Sequence, residues 1–227
     1  MTPASPHNPG AAPVVRISRA AIAANLGALA PEPGFAVDLR GDAYGHGAAR
    51  TAAWCAARGA ASARTDGGAG IGPLPEAAAD AVLLDAADVF GLAEGRSAAM
   101  RLSGTALVVK DLRTGEGVSY GYRHRAERDT RIALVTGGYA QGVVRSLGGT
   151  AEVLVGGARR RIVGRVAMDV CMVDIDDLDV RRGDEAVFFG DPACGEPSVR
   201  EWAAATGLHA CEIVTAVGRR ALREAVA

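Results

Sequence analysis

From about Ala99 onwards, short β-rich runs follow one another along the chain, with turn signals between them. Gly156-Gly157 and Arg182-Gly183-Asp184 are typical of the tight turns that join neighbouring antiparallel strands. We therefore predict a small antiparallel β domain in this part of the chain. Its predicted strands are Ala106–Lys110, Ile132–Val135, Glu152–Val155, Arg161–Val166, Cys171–Ile175 and Ala186–Phe189.

Helices are predicted after these strands. The capping box Ser198-x-x-Glu201 opens one, because each side chain can satisfy a backbone N–H that the first turn leaves unpaired. A final helical segment is predicted through Ile213 and Val217.

The N-terminal part has a different pattern, β-α-β-α, between Val14 and Ala63. Ser18 is a candidate N-cap for the first helix, in which apolar residues recur at helical spacing. A Gly-rich loop follows, and the Ala-rich stretch Glu76–Val89 is predicted to be helical in part. The predicted elements before that loop are strand Val14–Ile17, a helix that follows Ser18 and ends before Pro31, the buried strand Phe35–Leu39 and helix Ala48–Ala57.

Composition narrows the class of protein. The chain has 227 residues, of which 49% are hydrophobic and 22% charged, with a formal net charge of −1. These values are typical of a globular domain and leave no basic field for nucleic acid or an acidic membrane surface. No apolar run approaches the roughly 20 residues of a transmembrane helix. Met1–Pro13 is predicted to be a disordered tail and not a signal peptide.

Cysteine and histidine give no sign of a disulfide framework or of a metal site. The four cysteines are widely spaced without a C-x-x-C pair, and the four histidines are scattered. We expect reduced cysteines, no bound metal and a cytoplasmic location.

Several motifs resemble those of the alanine racemase family. The loop Asp42-Ala43-Tyr44-Gly45-His46-Gly47 is similar to the family's cofactor loop. Gly115–Gly121 is similar to the segment that carries its catalytic tyrosine, and Gly164–Asp169 to its substrate-contacting stretch. The match is strongest towards the C-terminus, where several uncommon segments occur in the family's order.

The resemblance implies a fold of two parts: an eight-stranded α/β barrel followed by a β domain. Such a barrel needs about 250 residues, more than this chain contains, and most of the expected units are missing between Ala63 and Asp80. We therefore predict an α+β fold, in which a truncated α/β part derived from a TIM barrel precedes a β-rich domain of the alanine racemase C-terminal type. The predicted boundaries are 1–13 for the tail, 14–95 for the barrel remnant and 96–227 for the β domain.

The resemblance also implies a site. Tyr120 matches the family's catalytic tyrosine, which acts on the substrate from the partner subunit of a homodimer. Tyr44 matches a residue that binds the cofactor, pyridoxal 5′-phosphate (PLP). Met168 and Asp169 match a pair that binds the substrate. Arg145 and Arg165 match arginines near the substrate entrance.

Departures from the family occur where PLP would be held. The family's PLP-anchoring lysine falls on Arg40, and the only lysine in the chain is Lys110. A guanidinium is effectively never deprotonated, so it cannot replace the lysine amine as nucleophile. The arginine that faces the PLP ring nitrogen falls on Leu84, the amides that hold the phosphate on Ala86-Ala87, and the phosphate-binding tyrosine on Cys211. We predict that PLP is not covalently bound, or absent, and that PLP-dependent racemisation is lost.

Two other functions stay open from the sequence. One is a PLP-independent enzyme in which Tyr120 and Asp169 act on another small molecule. The other is a non-catalytic binding or dimerisation protein. Structural roles are equally open for single residues: Tyr120 could pack in a turn, Met168 could belong to the core, and Asp169 could cap a turn. We expect a homodimer and no nucleic acid or membrane partner, and a small-molecule ligand stays open.

Overall fold

The structure is a computed structural model, and it describes residues 12–29, 32–119, 121–122 and 124–227. Two compact units emerge. The first consists of Val15–Arg101 together with Leu208–Ala227 and is called the α/β unit here. The second, Leu102–Gly207, is called the barrel unit. The predicted tail falls mostly on residues 1–11, and the predictions for that segment and for Tyr120 lie outside the described residues.

The α/β unit is built around a small parallel sheet. Its three strands lie in the order β3-β2-β4, so β2 is flanked on both sides. All three residues of β2 are buried, as the sequence predicts for this strand. The elements of the N-terminal part are β1 (Val14–Ser18), α1 (Arg19–Leu29), β2 (Ala36–Asp38), α2 (Arg40–Tyr44), α3 (Ala48–Ala56), β3 (Ser62–Arg64), β4 (Leu83–Leu84) and α4 (Ala86–Val89).

Helix α1 begins where the sequence predicts. Ser18 Oγ accepts a hydrogen bond from Ala21 N at 3.1 Å, which satisfies one of the unpaired donors of the first turn. Ile22 and Leu26 are buried on one face. Asn25 is buried beside them. Its side-chain amide donates hydrogen bonds to the carbonyl oxygens of Val89 and Ser97 at 3.2 and 2.9 Å. A buried polar side chain with satisfied donors fixes how α1 packs.

The prediction that Glu76–Val89 is helical in part is confirmed, and the helical part is its last four residues, Ala86–Val89. Glu76 is held by hydrogen bonds to Thr65 and to Gly70 N, and Ala63 forms a parallel bridge with it. These tertiary contacts override the helix propensity of the alanines. The helix starts only after Asp85, whose carboxylate accepts from Ala87 N at 2.7 Å.

The barrel unit consists of six strands that close on themselves. The order is β12-β9-β10-β11-β8-β5, and β12 also pairs with β5, which completes the ring. Each pair of neighbouring strands in the ring is antiparallel. The antiparallel β domain predicted from the turn pattern is thereby confirmed. The strands are β5 (Met100–Leu112), β8 (Thr130–Thr136), β9 (Glu152–Val155), β10 (Ala158–Val163), β11 (Val170–Asp174) and β12 (Glu185–Phe189).

Strand bounds differ from the prediction at β10, which begins at Ala158 and ends at Val163. Gly164 follows with φ of +68°, a left-handed conformation that ends the strand. The register of β5 shifts between Ala106 and Val108, and a bulge of this kind bends a strand around a barrel.

Alternating residues of the strands fill the barrel core. In β9 and β11, every second side chain is buried. Helix α5 (Val199–Thr206) opens with the predicted capping box, and its Trp202 is buried. Phe188 and Phe189 meet the Trp202 ring edge-on, with centroid distances of 6.2 and 5.1 Å. Aromatic packing therefore anchors α5 on the barrel unit.

A short hairpin, β6 (Gly117–Val118) and β7 (His124–Arg125), flanks position 120. Val118 belongs to a buried cluster that fixes the base of this hairpin. The other members of the cluster are Leu112, Ala126, Ile132 and Val163.

The last segment of the chain belongs to the α/β unit. Helix α6 (Ala210–Arg220) packs on α2, and β13 (Leu222–Val226) pairs with β1. Ile213, Val214 and Val217 form the buried face of α6, in agreement with the predicted helical segment. Among the described residues, no helix is long and apolar enough to cross a membrane.

Candidate functional site

The carboxylate of Asp38 organises the site of the α/β unit. Asp38 is the last residue of β2, the central strand, and is only 8% exposed. Arg40 donates three side-chain hydrogen bonds to it, from Nε to Oδ1 and Oδ2 at 3.0 and 3.2 Å and from Nη2 to Oδ2 at 2.5 Å. The hydroxyl of Tyr44 donates a hydrogen bond to Oδ2 at 2.9 Å. The guanidinium at the family's lysine position is thus engaged in a two-pronged ion pair.

Protonation states in this cluster follow from those contacts. Burial acts to raise the pKa of Asp38, but hydrogen bonds from Arg40 and Tyr44 outweigh it and the pKa lies below its usual value. The hydrogen bond to Asp38 raises the pKa of Arg40 further above its ordinary value. Burial, followed by the Asp38 contact, raises the pKa of Tyr44 to about 12. At neutral pH, Arg40 is charged and Tyr44 is a neutral phenol, so neither can act as a general base.

The segment that carries Tyr44 is a left-handed turn. Gly41 to Gly45 all have positive φ, including the non-glycine residues Asp42, Ala43 and Tyr44 at +59°, +54° and +51°. This conformation costs an L-residue roughly 1–2 kcal/mol, so the surroundings must hold the turn in place. Several hydrogen bonds within the turn do so, among them Gly45 N to Gly41 O at 3.0 Å.

Asp42 links this turn to two neighbouring elements. Its Oδ1 accepts from Ala48 N at 2.8 Å, at the start of α3. Its Oδ2 forms an ion pair with Arg223 of β13, which also donates to Gly45 O at 3.1 Å. The Asp of the cofactor-loop motif is therefore a structural residue that ties the turn to both ends of the unit.

Helix α6 approaches the turn backbone to backbone. A Cβ atom added to Gly218 would lie 2.2 Å from Gly45 O, and one added to Gly45 would lie 2.6 Å from Val214 O. Only glycine fits at either position without a shift of the backbone. This close approach places Cys211 and Thr215 of α6 beside Tyr44 in one cavity.

His46 has a structural role beneath the turn. It is buried, and its ring stacks on Phe90 with centroids 4.3 Å apart. Nδ1 lies within hydrogen-bond distance of Ala43 O, at 2.9 Å. Because a carbonyl oxygen can only accept, we assign the ring proton of the neutral imidazole to Nδ1. Burial lowers the pKa of His46 to about 4, so the ring is neutral at neutral pH.

The cavity beside Tyr44 has a volume of about 580 Å³. Cys211 lines it, together with Arg219 and Arg220. The pKa of the Cys211 thiol is raised by burial first and by the negative charge of Asp85 second. The same Asp85 accepts from Ala87 N, at one of the two positions where the family resemblance places a phosphate-binding amide. The backbone N–H of Ala87 is therefore already hydrogen-bonded to a carboxylate of the chain itself.

The remaining predicted site residues belong to the barrel unit. Met168 is 55% exposed, so the alternative that it belongs to the core is wrong. Asp169 is exposed, and its Oδ1 accepts from Gln141 Nε2 at 2.9 Å. Arg40 and Tyr44 share a hydrogen-bonded cluster, whereas Met168 and Asp169 lie in the other compact unit. No group of three His, Cys, Asp or Glu side chains suited to a metal ion occurs in the described part of the chain.

Sequence reasoning missed the two carboxylates that matter most, Asp38 and Asp85. A signal for Asp38 was present, because an acid two residues before Arg40 at a strand end can reach its guanidinium. For Asp85 the signal was weaker: an Asp directly before a short Ala-Ala run is a typical N-cap.

Comparisons with known proteins agree with this architecture. A family model described as "Alanine racemase, C-terminal domain" matches residues 99–225, more than half of the 227 residues. The chain therefore belongs to the alanine racemase family, and the resemblance inferred from its motifs is confirmed.

Among curated relatives, the alanine racemase of Mycobacterium leprae is 46% identical over 127 residues, which is 55% of this chain and 33% of that protein. The alanine racemase of Frankia casuarinae is 43% identical over 157 residues, 69% of this chain and 38% of that protein. The chain thus spans about a third of the length of the curated relatives that it matches.

Solved structures show the same fold. Alanine racemase from Streptomyces coelicolor A3(2) superimposes with a TM-score of 0.81 at 22% identity, covering 95% of this chain and 98% of that one. The enzyme from Bartonella henselae, described with covalently bound pyridoxal phosphate, gives 0.80 at 16% identity and covers 95% and 100%. At these identities the likeness concerns the fold alone.

Proposed function

We propose that this member of the alanine racemase family has lost PLP-dependent racemisation. The observation that carries the proposal is the ion pair between Arg40 and Asp38. Arg40 stands where the family resemblance places the lysine that bonds PLP and serves as one of two bases. Its guanidinium is charged and engaged with a buried carboxylate. Both roles of the lysine need a free amine, which Arg40 cannot supply.

The surroundings of Arg40 also do not fit a covalently held PLP. Ala87 N already donates to Asp85, whose negative charge would repel a phosphate. Cys211 stands where the resemblance places a phosphate-binding tyrosine, and the hydroxyl of Tyr44 already donates a hydrogen bond to Asp38. Leu84 has no charge to offer a ring nitrogen. Lys110, the only lysine in the chain, is exposed on β5 in the barrel unit.

The shortened barrel belongs to the same proposal. β3 ends at Arg64 and β4 begins at Leu83, and between them the chain forms turns and isolated bridges. This segment is too short for the several strand–helix units of a complete TIM barrel. We infer that the α/β unit derives from such a barrel by internal loss. The boundaries 14–95 for the remnant and 96–227 for the β domain are part of this inference.

Two further functions keep some support. A PLP-independent enzyme acting through Tyr120 and Asp169 is supported only by the exposure of Asp169. A dimerisation or binding role is supported by exposed apolar side chains of the barrel unit, since Met168, Tyr122 and Tyr139 are 55, 65 and 37% exposed. Exposed apolar groups of this kind mark interaction surfaces when they cluster. A homodimer and a cytoplasmic location remain predictions with each of these functions.

The variant Arg40→Lys tests the proposal. A lysine at this position would lie beside the Asp38 carboxylate, which favours the protonated ammonium over the free amine. Positioning of reacting groups contributes about 7–11 kcal/mol to catalysis, so an amine without an oriented cofactor achieves little. We expect neither the wild-type chain nor Arg40→Lys to convert L-alanine to D-alanine above background with added PLP.

The control for this experiment is Arg50→Lys, which introduces a lysine at an exposed position of α3 in the same unit. Turnover by the wild-type chain would contradict the proposal outright. Turnover by Arg40→Lys alone would show that the lysine is the only missing part.

A further inference from the structure

The three-stranded sheet of the α/β unit has two edges, and the chain itself covers one of them. On the outer side of β3, Ala63 N donates a hydrogen bond to Pro75 O, and Ala63 O accepts one from Ala77 N, both at 2.9 Å. Pro73 and Pro75 belong to the covering segment, and a proline has no backbone N–H to offer a further strand. This side of the sheet is therefore closed to added strands.

The other edge of the sheet is β4. It runs parallel to β2 with Leu83 beside Ala36, and Ala36 N donates to Val82 O at 3.3 Å. In a parallel ladder the neighbours of Leu83 make the bonds to β2, so the N–H and C=O of Leu83 itself point away from the sheet. In the described part of the chain, neither group has a hydrogen-bond partner. A backbone donor and acceptor thus lie side by side, as the pairing of an added strand requires.

The side chains along this edge are apolar. Val82 is 80% exposed, more than any other large apolar side chain among the described residues. Leu83 and Leu84 are half-buried. Residues 79–88 contain no proline or lysine, the residues that commonly protect an edge from pairing. The β4 edge therefore lacks the protection that the β3 edge has.

The charge around β4 is negative. Residues 65–95 contain no Lys or Arg, and their acidic side chains are Asp66, Glu76, Asp80, Asp85, Asp88 and Glu94. Asp80 and Asp85 flank β4, are exposed, and form no ion pair with any residue that the structure describes. The same edge of a second copy would bring like charges together, which disfavours self-pairing. Residues 1–11 contain no Lys or Arg either, so that segment offers no complementary charge.

We propose that the β4 edge, Val82–Leu84 with its flanking Asp80 and Asp85, binds an extended strand of another protein whose apolar residues are flanked by Lys or Arg. Backbone hydrogen bonds to Leu83 provide affinity, and the basic side chains beside the two carboxylates provide selectivity. The inference does not rest on the loss of racemisation, because it uses the outward backbone of β4 and no PLP chemistry.

The test is fluorescence anisotropy of the fluorescein-labelled peptide GRVTVRG, titrated with the full chain at low ionic strength. Two matched peptides separate the contributions. GEVTVEG reverses the flanking charge, and GRVTVRG with an N-methyl group on its threonine loses the backbone donor that would face Leu83. Each should bind about tenfold more weakly than GRVTVRG, the size expected for unfavourable charge or for one or two lost hydrogen bonds. Added salt should weaken the binding of GRVTVRG, because its charges are exposed.

Variants of the chain assign the binding to β4. Leu83→Pro removes the outward N–H and leaves the bonds to β2, and proline is tolerated on an edge strand in this orientation. It should weaken GRVTVRG by about tenfold. Leu83→Ala is the matched control, because it keeps the N–H and should retain most of the binding.

The flanking charges are tested separately. Asp80→Asn and Asp85→Asn should each weaken GRVTVRG by about threefold and leave the N-methyl peptide weak. Asparagine keeps the side-chain oxygen that caps α4 at position 85. Asp177→Asn, at an exposed position of the barrel unit, is the control and should change nothing. Circular dichroism melts check that each variant folds; if Leu83→Pro does not, the N-methyl peptide and the two Asp variants decide.

The proposal is overturned if GRVTVRG does not bind, or if GEVTVEG binds equally well. It is equally overturned if a folded Leu83→Pro binds the peptide as Leu83→Ala does. A wild-type chain that is dimeric by light scattering and becomes monomeric in Leu83→Pro would also overturn it, because a second copy would then occupy the edge.

Discussion

The barrel unit and the α/β unit reach a stable fold by different means. In the barrel unit, β5 and β12 pair with each other, so the six-stranded ring has no end strand. The sheet of the α/β unit has three strands, and its outer strands β3 and β4 have three and two residues. Closure removes exposed edges by itself, whereas a short open sheet depends on what surrounds it.

What surrounds the open sheet is a set of specific polar and backbone contacts. Asn25 donates hydrogen bonds that link α1 to the end of α4 and to the loop after it. Glu76 accepts a hydrogen bond from Thr65, and Asp42 links the left-handed turn to α3 and β13. Each contact needs one particular side chain in one place. From this comparison we expect that single substitutions of polar residues destabilise the α/β unit more than the barrel unit.

The largest expected effect tests the barrel side of this comparison. Phe188 is fully buried and packs edge-on against Trp202. Phe188→Ala should lower the free energy of unfolding by about 3–5 kcal/mol, through lost apolar burial and the cavity left behind. Urea unfolding followed by Trp202 fluorescence, in a Trp54→Phe background, measures it. Val108→Ala, at a position 50% exposed in β5, is the control and should cost less than about 0.5 kcal/mol. Equal effects for the two would show that the barrel core is not the source of stability.

The next effect concerns pH and the α/β unit. The pKa of His46 is lowered to about 4 by burial, against an ordinary value of 6.5. Between these values the unfolded chain binds a proton that the folded chain does not, so stability falls as pH is lowered from 6.5 to 4. The expected loss is about 2–3 kcal/mol. Denaturant unfolding at a series of pH values should give a flatter profile for His46→Gln than for the wild-type chain.

His209→Gln is the control for that measurement, because His209 belongs to the same unit and its side chain is exposed. It should leave the profile unchanged. A wild-type profile that is flat across this window would mean that His46 is accessible to protons in the folded chain.

The third effect tests the backbone contact between α6 and the left-handed turn. Gly218→Ala places a Cβ 2.2 Å from Gly45 O, and the required shift should cost about 1–3 kcal/mol. Gly27→Ala in α1 is the matched control, since nothing lies within 4 Å of its added Cβ. It should stabilise by about 0.5–1 kcal/mol, because alanine loses less conformational freedom than glycine. If both variants are stabilised, α6 is not held against the turn as described.

The sequence predicted the barrel unit better than the candidate site, for a physical reason. Strand alternation and Gly-rich turns are local patterns, and they identified the antiparallel strands with errors confined to their ends, as at β10. The cofactor loop was recognised by its motif, but its left-handed conformation was not foreseen. The partners of Arg40 and Ala87, which are Asp38 and Asp85, became evident only when contacts were known. Within Glu76–Val89 the sequence did not show that only the last four residues are helical, because contacts of Glu76 from outside the stretch override local propensity.

The central claim is that Arg40, paired with Asp38, has replaced the PLP-bonding lysine and that no covalent PLP is held. The most direct measurement is incubation of the purified chain with PLP, reduction with borohydride, and mass spectrometry of the intact chain and its peptides. The Lys110→Arg variant, which has no lysine, serves as the control. We expect no visible band of bound PLP and no stoichiometric reduced adduct in either protein. A stoichiometric adduct on the wild-type chain, located at Lys110 and absent from Lys110→Arg, would contradict the account.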